Sequence, residues 1–175
     1  MLKQGYVQLY TGNGKGKTTA ALGLAFRAAG AELRTIIIQF MKGQRYSELD
    51  SVRRFGGLVV IEQYGSPVFC RPDDESIEEH YRLARRALAR AKEALADESY
   101  SIVVLDEIVT ASLFKLVTVD EILECIRLKP VNKELIITGR GATPELIDAC
   151  DLVTEMKEIK HYYNAGVGAR AGIEN

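Results

Sequence analysis

The chain has 175 residues, 47% of them apolar and 27% charged, with a net charge of −1 and a pI near 6.2. That length suits one folded domain, and the balance argues against disorder, a fibrous class and a global basic field for nucleic acid or anionic lipid. Three widely spaced cysteines, Cys70, Cys125 and Cys150, with no CxxC pair, and two distant histidines, His80 and His161, argue against a disulfide framework and a zinc site, which leaves oxygen ligands for any cation.

The chain reaches a strand-like stretch, YVQLY from residue 6, at once, leaving no room for a signal peptide. No apolar run approaches the roughly 20 residues of a membrane span, so the expected location is the cytoplasm. Residues 11–21 follow as TGNGKGKTTAA. The common phosphate loop reads Gly, four residues, then Gly-Lys-Ser/Thr, and its backbone N–H groups converge with a helix N-terminus on phosphate oxygens. Gly16, Lys17 and Thr18 supply the second half. Five residues before Gly16 stands Thr11, however; Gly12 comes one residue late, and the loop holds a second cation, Lys15. The strand before it and the helix TAALGLAFRAAG after it favour a nucleotide site over a bare turn. Gly12, Asn13, Gly14, Lys15, Gly16, Lys17, Thr18 and Thr19 are the candidate nucleotide-binding residues. Lys17 would neutralise phosphate and the Thr18 hydroxyl would ligate magnesium. Small residues at 20, 21, 23 and 25 let this helix pack closely.

Further apolar runs are RTIIIQF from 34, LVVIEQY from 58, YSIVVLDE from 100, KELIITG from 133 and DLVTEM from 151. Their alternation with helical patterns predicts an α/β fold with a mostly parallel, doubly wound sheet of five or six strands. Lys42, in QFMKG, falls on the ligand face of that sheet. From 74 to 96, Ile77, Tyr81, Ala84, Leu88, Ala91 and Leu95 recur at helical spacing as a buried stripe, with Arg82, Arg85, Arg86 and Arg90 on a solvated face. The strand IVVLDE ends in Asp106 and Glu107. Ligands of open α/β sheets bind at strand carboxyl ends, so both are candidate metal ligands beside the loop, and which of them touches the metal stays open. Cys125 shares an apolar pattern with Ile122 and Ile126 and reads as core. Arg140 stands between Gly139 and Gly141 in TGRGATPE, as a nucleotide contact or an ordinary exposed turn residue. Residues 157–175 are polar and less patterned, a surface tail or flap on a single P-loop domain spanning 1–175.

Taken together and in order, TGNGKGKTTAALG, IIIQFMKG, IVVLDEI, IITGRGATPELIDACDLVTEM and IKHYYNAGVGARAGIEN resemble the P-loop type of ATP:corrinoid adenosyltransferase over nearly the whole chain. The resemblance implies a RecA-like three-layer fold and transfer of the 5′-deoxyadenosyl group of ATP to the cobalt(I) of a reduced corrinoid, with triphosphate leaving. It further implies Mg2+ or Mn2+, a flavodoxin-like or flavin reductase electron donor and a homodimer, in adenosylcobalamin biosynthesis or corrinoid salvage, with no nucleic-acid or membrane partner. ATP would lie reversed relative to ordinary NTPases, so that Lys15, Lys17 and the metal stabilise charge on a triphosphate that departs whole. A cobalt(I) nucleophile carries no proton and needs no general base.

Two departures from the family pattern stand out. Only residues 1–5 precede the first strand, where relatives commonly carry an extension over the corrinoid, so closure is expected from another segment or a dimer partner. In place of the family's Gly-Phe-Thr-Trp-like segment stands YGSPVFCRP, residues 64–72, where Tyr64 and Phe69 are the aromatics available; Phe69 is the catalytic candidate for crowding the lower corrin face. A small-molecule kinase or NTPase would use the same loop and yield ADP, and a nucleotide or corrinoid carrier would bind without turnover.

Overall fold

The computed structural model describes residues 2–68 and 77–175. Strands β1 (Val7–Thr11), β2 (Thr35–Phe40), β3 (Val59–Tyr64), β4 (Ile102–Asp106), β5 (Glu134–Thr138) and β6 (Leu152–Glu155) form one parallel sheet in the order β3-β2-β4-β5-β1-β6. Every apolar run read from the sequence is one of these strands. Parallel neighbours need crossovers, and helices α1 (Lys17–Ala29), α2 (Glu48–Ser51), α3 (Ile77–Ala96), α4 (Ile108–Leu113), α5 (Val119–Leu128) and α6 (Pro144–Asp148) lie in them. A 3₁₀ turn, Val52–Phe55, extends α2.

Because side chains alternate along a strand, each central strand feeds two cores. Leu9, Ile38, Phe40, Val103, Leu105 and Ile137 meet α3, α4, α5 and α6 on one face. Tyr10, Ile37, Val104 and Ile136 meet α1 on the other, through Ala21, Ala25 and Ala28. These three small side chains bring α1, and the loop that starts it, close to the strand ends. Cys125 is a core residue with no exposure, and burial pushes its thiol up to about 11. Among the described residues no helix is long and apolar enough to cross a membrane.

Helix α3 departs from its predicted stripe. Tyr81 is 50% exposed, whereas His80, Ala84, Ala87, Leu88, Ala91, Ala94 and Leu95 are buried. The seam is cut for alanines and runs through His80, while the Tyr81 ring lies outside it beneath the Arg85 guanidinium, 5.0 Å away. Nor is the arginine face wholly solvated. Arg82 and Arg86 are exposed, but Arg85 reaches the Glu121 carboxylate on α5, and Arg90 reaches Glu62 on β3 at 3.0 Å. Glu121 also closes a capping box with Thr118 at the start of α5. At the far end of α3, the buried Lys133 ammonium donates to the carbonyls of Ala94, Asp97 and Tyr100.

Candidate nucleotide site

The tight register of the loop has a packing cause. Gly12 (φ 96°) and Gly16 (φ 127°) adopt backbone angles that favour glycine. A Cβ on Gly12 would overlap the carbonyl of Met156, and one on Gly14 would lie 2.8 Å from the same oxygen. The loop therefore lies flat against the chain leaving β6, tied by Gly14 N–H to Met156 O (2.7 Å) and by Met156 N–H to Thr11 O (2.8 Å). Glycine is needed where that neighbour passes, at 12.

Helix α1 opens directly on Lys17, a residue only 6% exposed. Its ammonium folds back to donate to the carbonyls of Gly12 (2.7 Å) and Gly14 (2.9 Å). Burial lowers its pKa; Glu107 and Asp106 oppose that shift and Arg140 adds to it.

Asp106 closes β4 without any exposure and accepts four hydrogen bonds. Its Oδ1 takes those of the Thr18 hydroxyl (2.9 Å) and the Thr138 hydroxyl (2.8 Å). Its Oδ2 takes those of the Lys42 ammonium (2.8 Å) and the Gln39 amide (3.3 Å). Gln39 and Thr138 are absent from the sequence-derived set; they arrive because β2 and β5 flank β4, with Gln39 in register with Asp106. Glu107 follows in a left-handed conformation (φ 64°), which turns it out of the strand toward the cavity. Its N–H donates to Thr138 Oγ1 (2.9 Å) and its carboxylate accepts from the Thr110 hydroxyl.

The oxygens of Thr18, Asp106 and Glu107 make a hard-donor corner, and a cation fits there, since the Lys42 ammonium already enters it. Among the described residues no group of three or more His, Cys, Asp or Glu side chains converges on a metal position. Such a corner suits an ion that completes its shell with water and phosphate, as magnesium does.

Above the loop opens a cavity of about 610 Å³, within the usual range for small-molecule sites. Gly14, Lys15, Gly16, Lys17, Thr18, Thr19, Lys42, Glu107 and Arg140 line its charged end; Leu22, Phe26, Val52 and Phe55 form an apolar wall. Phe26 is 69% exposed, its ring edge-on to Phe55 at 5.9 Å. The final four residues lie across the opening: Lys15 Nζ donates to Ile173 O (2.8 Å) and stands 3.7 Å from Glu174, and the Ser47 hydroxyl donates to Asn175 O (2.9 Å). Lys15, expected to face phosphate, thus engages the tail. The tail is itself folded, since Glu174 accepts from Arg170 and from the Tyr162 hydroxyl.

Gly12 and Asn13 shape the turn without lining the cavity. Arg140 lines it from an exposed position, with its N–H fixed by Thr110 Oγ1 at 2.9 Å. Tyr64, at the end of β3, packs at the core edge and donates to Glu62 (2.8 Å); burial first, and that bond second, push its hydroxyl up to about 12. Phe69 lies outside the described residues.

Sheet order, loop and carboxylate corner define a P-loop nucleotide-binding protein of the RecA-like kind. Two solved structures share the fold: the RadB recombinase (TM-score 0.57, 14% identity, 90% of this chain and 77% of that one) and the flagellar accessory protein FlaH of Methanocaldococcus jannaschii (TM-score 0.59, 13% identity, 88% and 72%). The chain belongs to the ATP:corrinoid adenosyltransferase BtuR/CobO/CobP family, whose model matches residues 3–175. It is 34% identical over 173 residues to the corrinoid adenosyltransferase of Pseudomonas aeruginosa, covering 98% of this chain and 84% of that protein. Identity is 32% to the corrinoid adenosyltransferase of Escherichia coli K12 and 33% to that of Salmonella typhimurium, each match covering 98% of this chain and 86% of the relative. The chain is thus an enzyme of the adenosyltransferase class, with ATP as cosubstrate and a corrinoid as acceptor.

Proposed function

We propose that this site moves the 5′-deoxyadenosyl group of ATP onto the cobalt(I) of a reduced corrinoid and releases inorganic triphosphate, in adenosylcobalamin biosynthesis or corrinoid salvage. One observation carries the reading: cations and hard oxygen donors are gathered at one end of a cavity whose opposite wall is apolar. A triphosphate suits the first end, and the adenosine and the corrinoid edge suit the second.

In the step, a cobalt–carbon bond forms as the bond from the 5′-carbon to oxygen breaks, and its electron pair leaves on the triphosphate. Stabilisation is needed where that charge collects. Lys17 would exchange its two loop carbonyls for phosphate oxygens, Arg140 would reach the same end, and Lys15 would leave the tail for the phosphates. The N–H groups that open α1 point at the same place. Thr18, Asp106 and Glu107 would hold Mg2+ or Mn2+, Asp106 also orienting the Thr18 hydroxyl. The ion supplies Lewis-acid neutralisation of the leaving phosphates. The tail over the opening would exclude water and serve as the cover expected from a segment outside the N-terminus. The reading includes a cytoplasmic homodimer of single P-loop domains, a flavodoxin-like or flavin reductase electron donor and Phe69 against the lower corrin face.

Phosphorus NMR of an anaerobic reaction with ATP, magnesium and chemically reduced corrinoid tests the bond broken. Triphosphate equal in amount to photolabile adenosyl-corrinoid is expected. Stoichiometric ADP with unmodified corrinoid would instead establish phosphoryl transfer.

A further inference from the structure

We propose that Lys42 is a mobile cation of this site, filling the metal corner between Thr18 and Asp106 while nucleotide is absent and passing onto the phosphates when a metal–nucleotide complex takes the corner. Its Nζ lies 2.8 Å from Asp106 Oδ2 and 3.3 Å from Thr18 Oγ1. It therefore occupies the position where those oxygens would meet a divalent ion, and two cations cannot share so small a corner.

Satisfaction of Asp106 does not require this ammonium. Thr18, Thr138 and Gln39 already donate to the carboxylate, so loss of Lys42 leaves three neutral hydrogen bonds in place. What Lys42 adds is charge. The ammonium pairs with the fully buried Asp106 carboxylate at 2.8 Å. The side chain remains a cation in the corner.

Its backbone is fixed, and its head borders the cavity. Met41, directly before it, is held left-handed (φ 60°), a conformation that is uncommon for a side chain of this size and that recurs at functional sites. The Met41 N–H donates to Tyr64 O (3.2 Å). A Cβ on Gly43 would overlap the Gly65 carbonyl, and one on Gly65 would overlap the Lys42 N–H group, so the exits of β2 and β3 interlock. From this rigid base extends a four-carbon stem with freely turning bonds. From the same position Nζ lies 5.2 Å from the Tyr46 ring, and both residues line the cavity, so the ammonium already borders the space where phosphates would lie.

Only the destination of the ammonium rests on the proposed function. Lys42→Met tests both halves. Binding of manganese chloride alone to nucleotide-free protein, followed by electron paramagnetic resonance, should tighten about tenfold once the competing charge is gone. Binding of ATP in magnesium, followed by equilibrium dialysis, should weaken about tenfold. Unchanged manganese affinity would overturn the resident-cation role, and unchanged ATP affinity would overturn the transfer onto phosphate. If Lys42→Met does not fold, Lys42→Gln, which keeps a donor for Asp106 without the charge, decides on the same two readings. Neither depends on which bond of ATP is broken, so an ADP product would overturn the adenosyl-transfer reading and leave this one standing.

Discussion

Lys17 and Lys133 are both buried, both held by main-chain carbonyls, and lie at opposite ends of neighbouring strands, Lys17 beyond the carboxyl end of β1 and Lys133 just before β5. Burial lowers the pKa of each. Their surroundings differ in sign. Lys133 meets the last carbonyls of α3 and those just beyond, the negative pole of a helix, where a cation is stabilised and otherwise orphaned acceptors are satisfied. Lys17 is the first residue of α1, at the positive pole, where a second positive charge is unfavourable. One lysine completes a structure; the other sits at a positive pole that Glu107 and Asp106 offset in part and an incoming anion would relieve further. A buried charge marks a functional site when its local field opposes it, and burial alone does not distinguish the two.

Breaking each lysine should separate activity from stability. Lys17→Ala is expected to lower kcat/KM about a thousandfold, roughly 4 kcal/mol of transition-state stabilisation, while the unfolding midpoint moves little. A variant with wild-type ATP affinity and rate would remove Lys17 from the site. Lys133→Met should do the reverse. Leaving three carbonyls without their shared donor should cost about 3 kcal/mol in urea unfolding, with turnover per folded molecule unchanged. A loss of turnover at equal stability would contradict the contrast.

Smaller effects sharpen it. Asp106→Asn and Glu107→Ala should each raise the magnesium needed for half-maximal rate about tenfold, and Asp106→Asn should also lose stability, because the amide NH2 must face the two donors of whichever oxygen it replaces. Wild-type magnesium titrations in both variants would remove the metal role. The smallest effect concerns Glu121, whose carboxylate Arg85 chiefly, with Thr118, holds at about 2 instead of 4.5. A depressed carboxylate stabilises the fold fully above pH 4.5 and loses that contribution as pH falls toward 2. The pair is partly reached by solvent, so screening reduces it to about 1 kcal/mol. Glu121→Gln should be less stable by that amount at pH 7 in urea titrations and equal to wild type near pH 2; an unchanged gap at both pH values would refute the assignment.

All six strands were legible because continuous branched runs have few other uses in a chain of this composition. The convergence of Lys17, Thr18, Asp106 and Glu107 at one end of the sheet was legible because strand, loop and helix occur in order around them. The one-residue error on α3 arose because hydropathy ranks tyrosine above histidine, so Tyr81 was favoured over His80 for a seam that alanine spacing alone does not fix. Gln39 and Thr138 were invisible for another reason: their contacts with Asp106 depend on which strands are neighbours, and polar residues at strand ends look like turn residues. The late glycine at 12 and the resting place of Lys15 depend on chain segments more than 140 residues away, Met156 and Ile173, which no local pattern reveals.

The interlock of Gly43 with Gly65 carries a lesson for anyone who edits this enzyme. Neither position accepts a side chain, because each faces the other loop's main chain at less than van der Waals separation. The exits of β2 and β3 are therefore one heritable part. A relative's aromatic segment cannot be transplanted after Tyr64 by itself, since altering the path at Gly65 dislodges the Met41–Lys42 backbone. A working chimera has to exchange both loops together, and drift at one position should be matched by drift at the other.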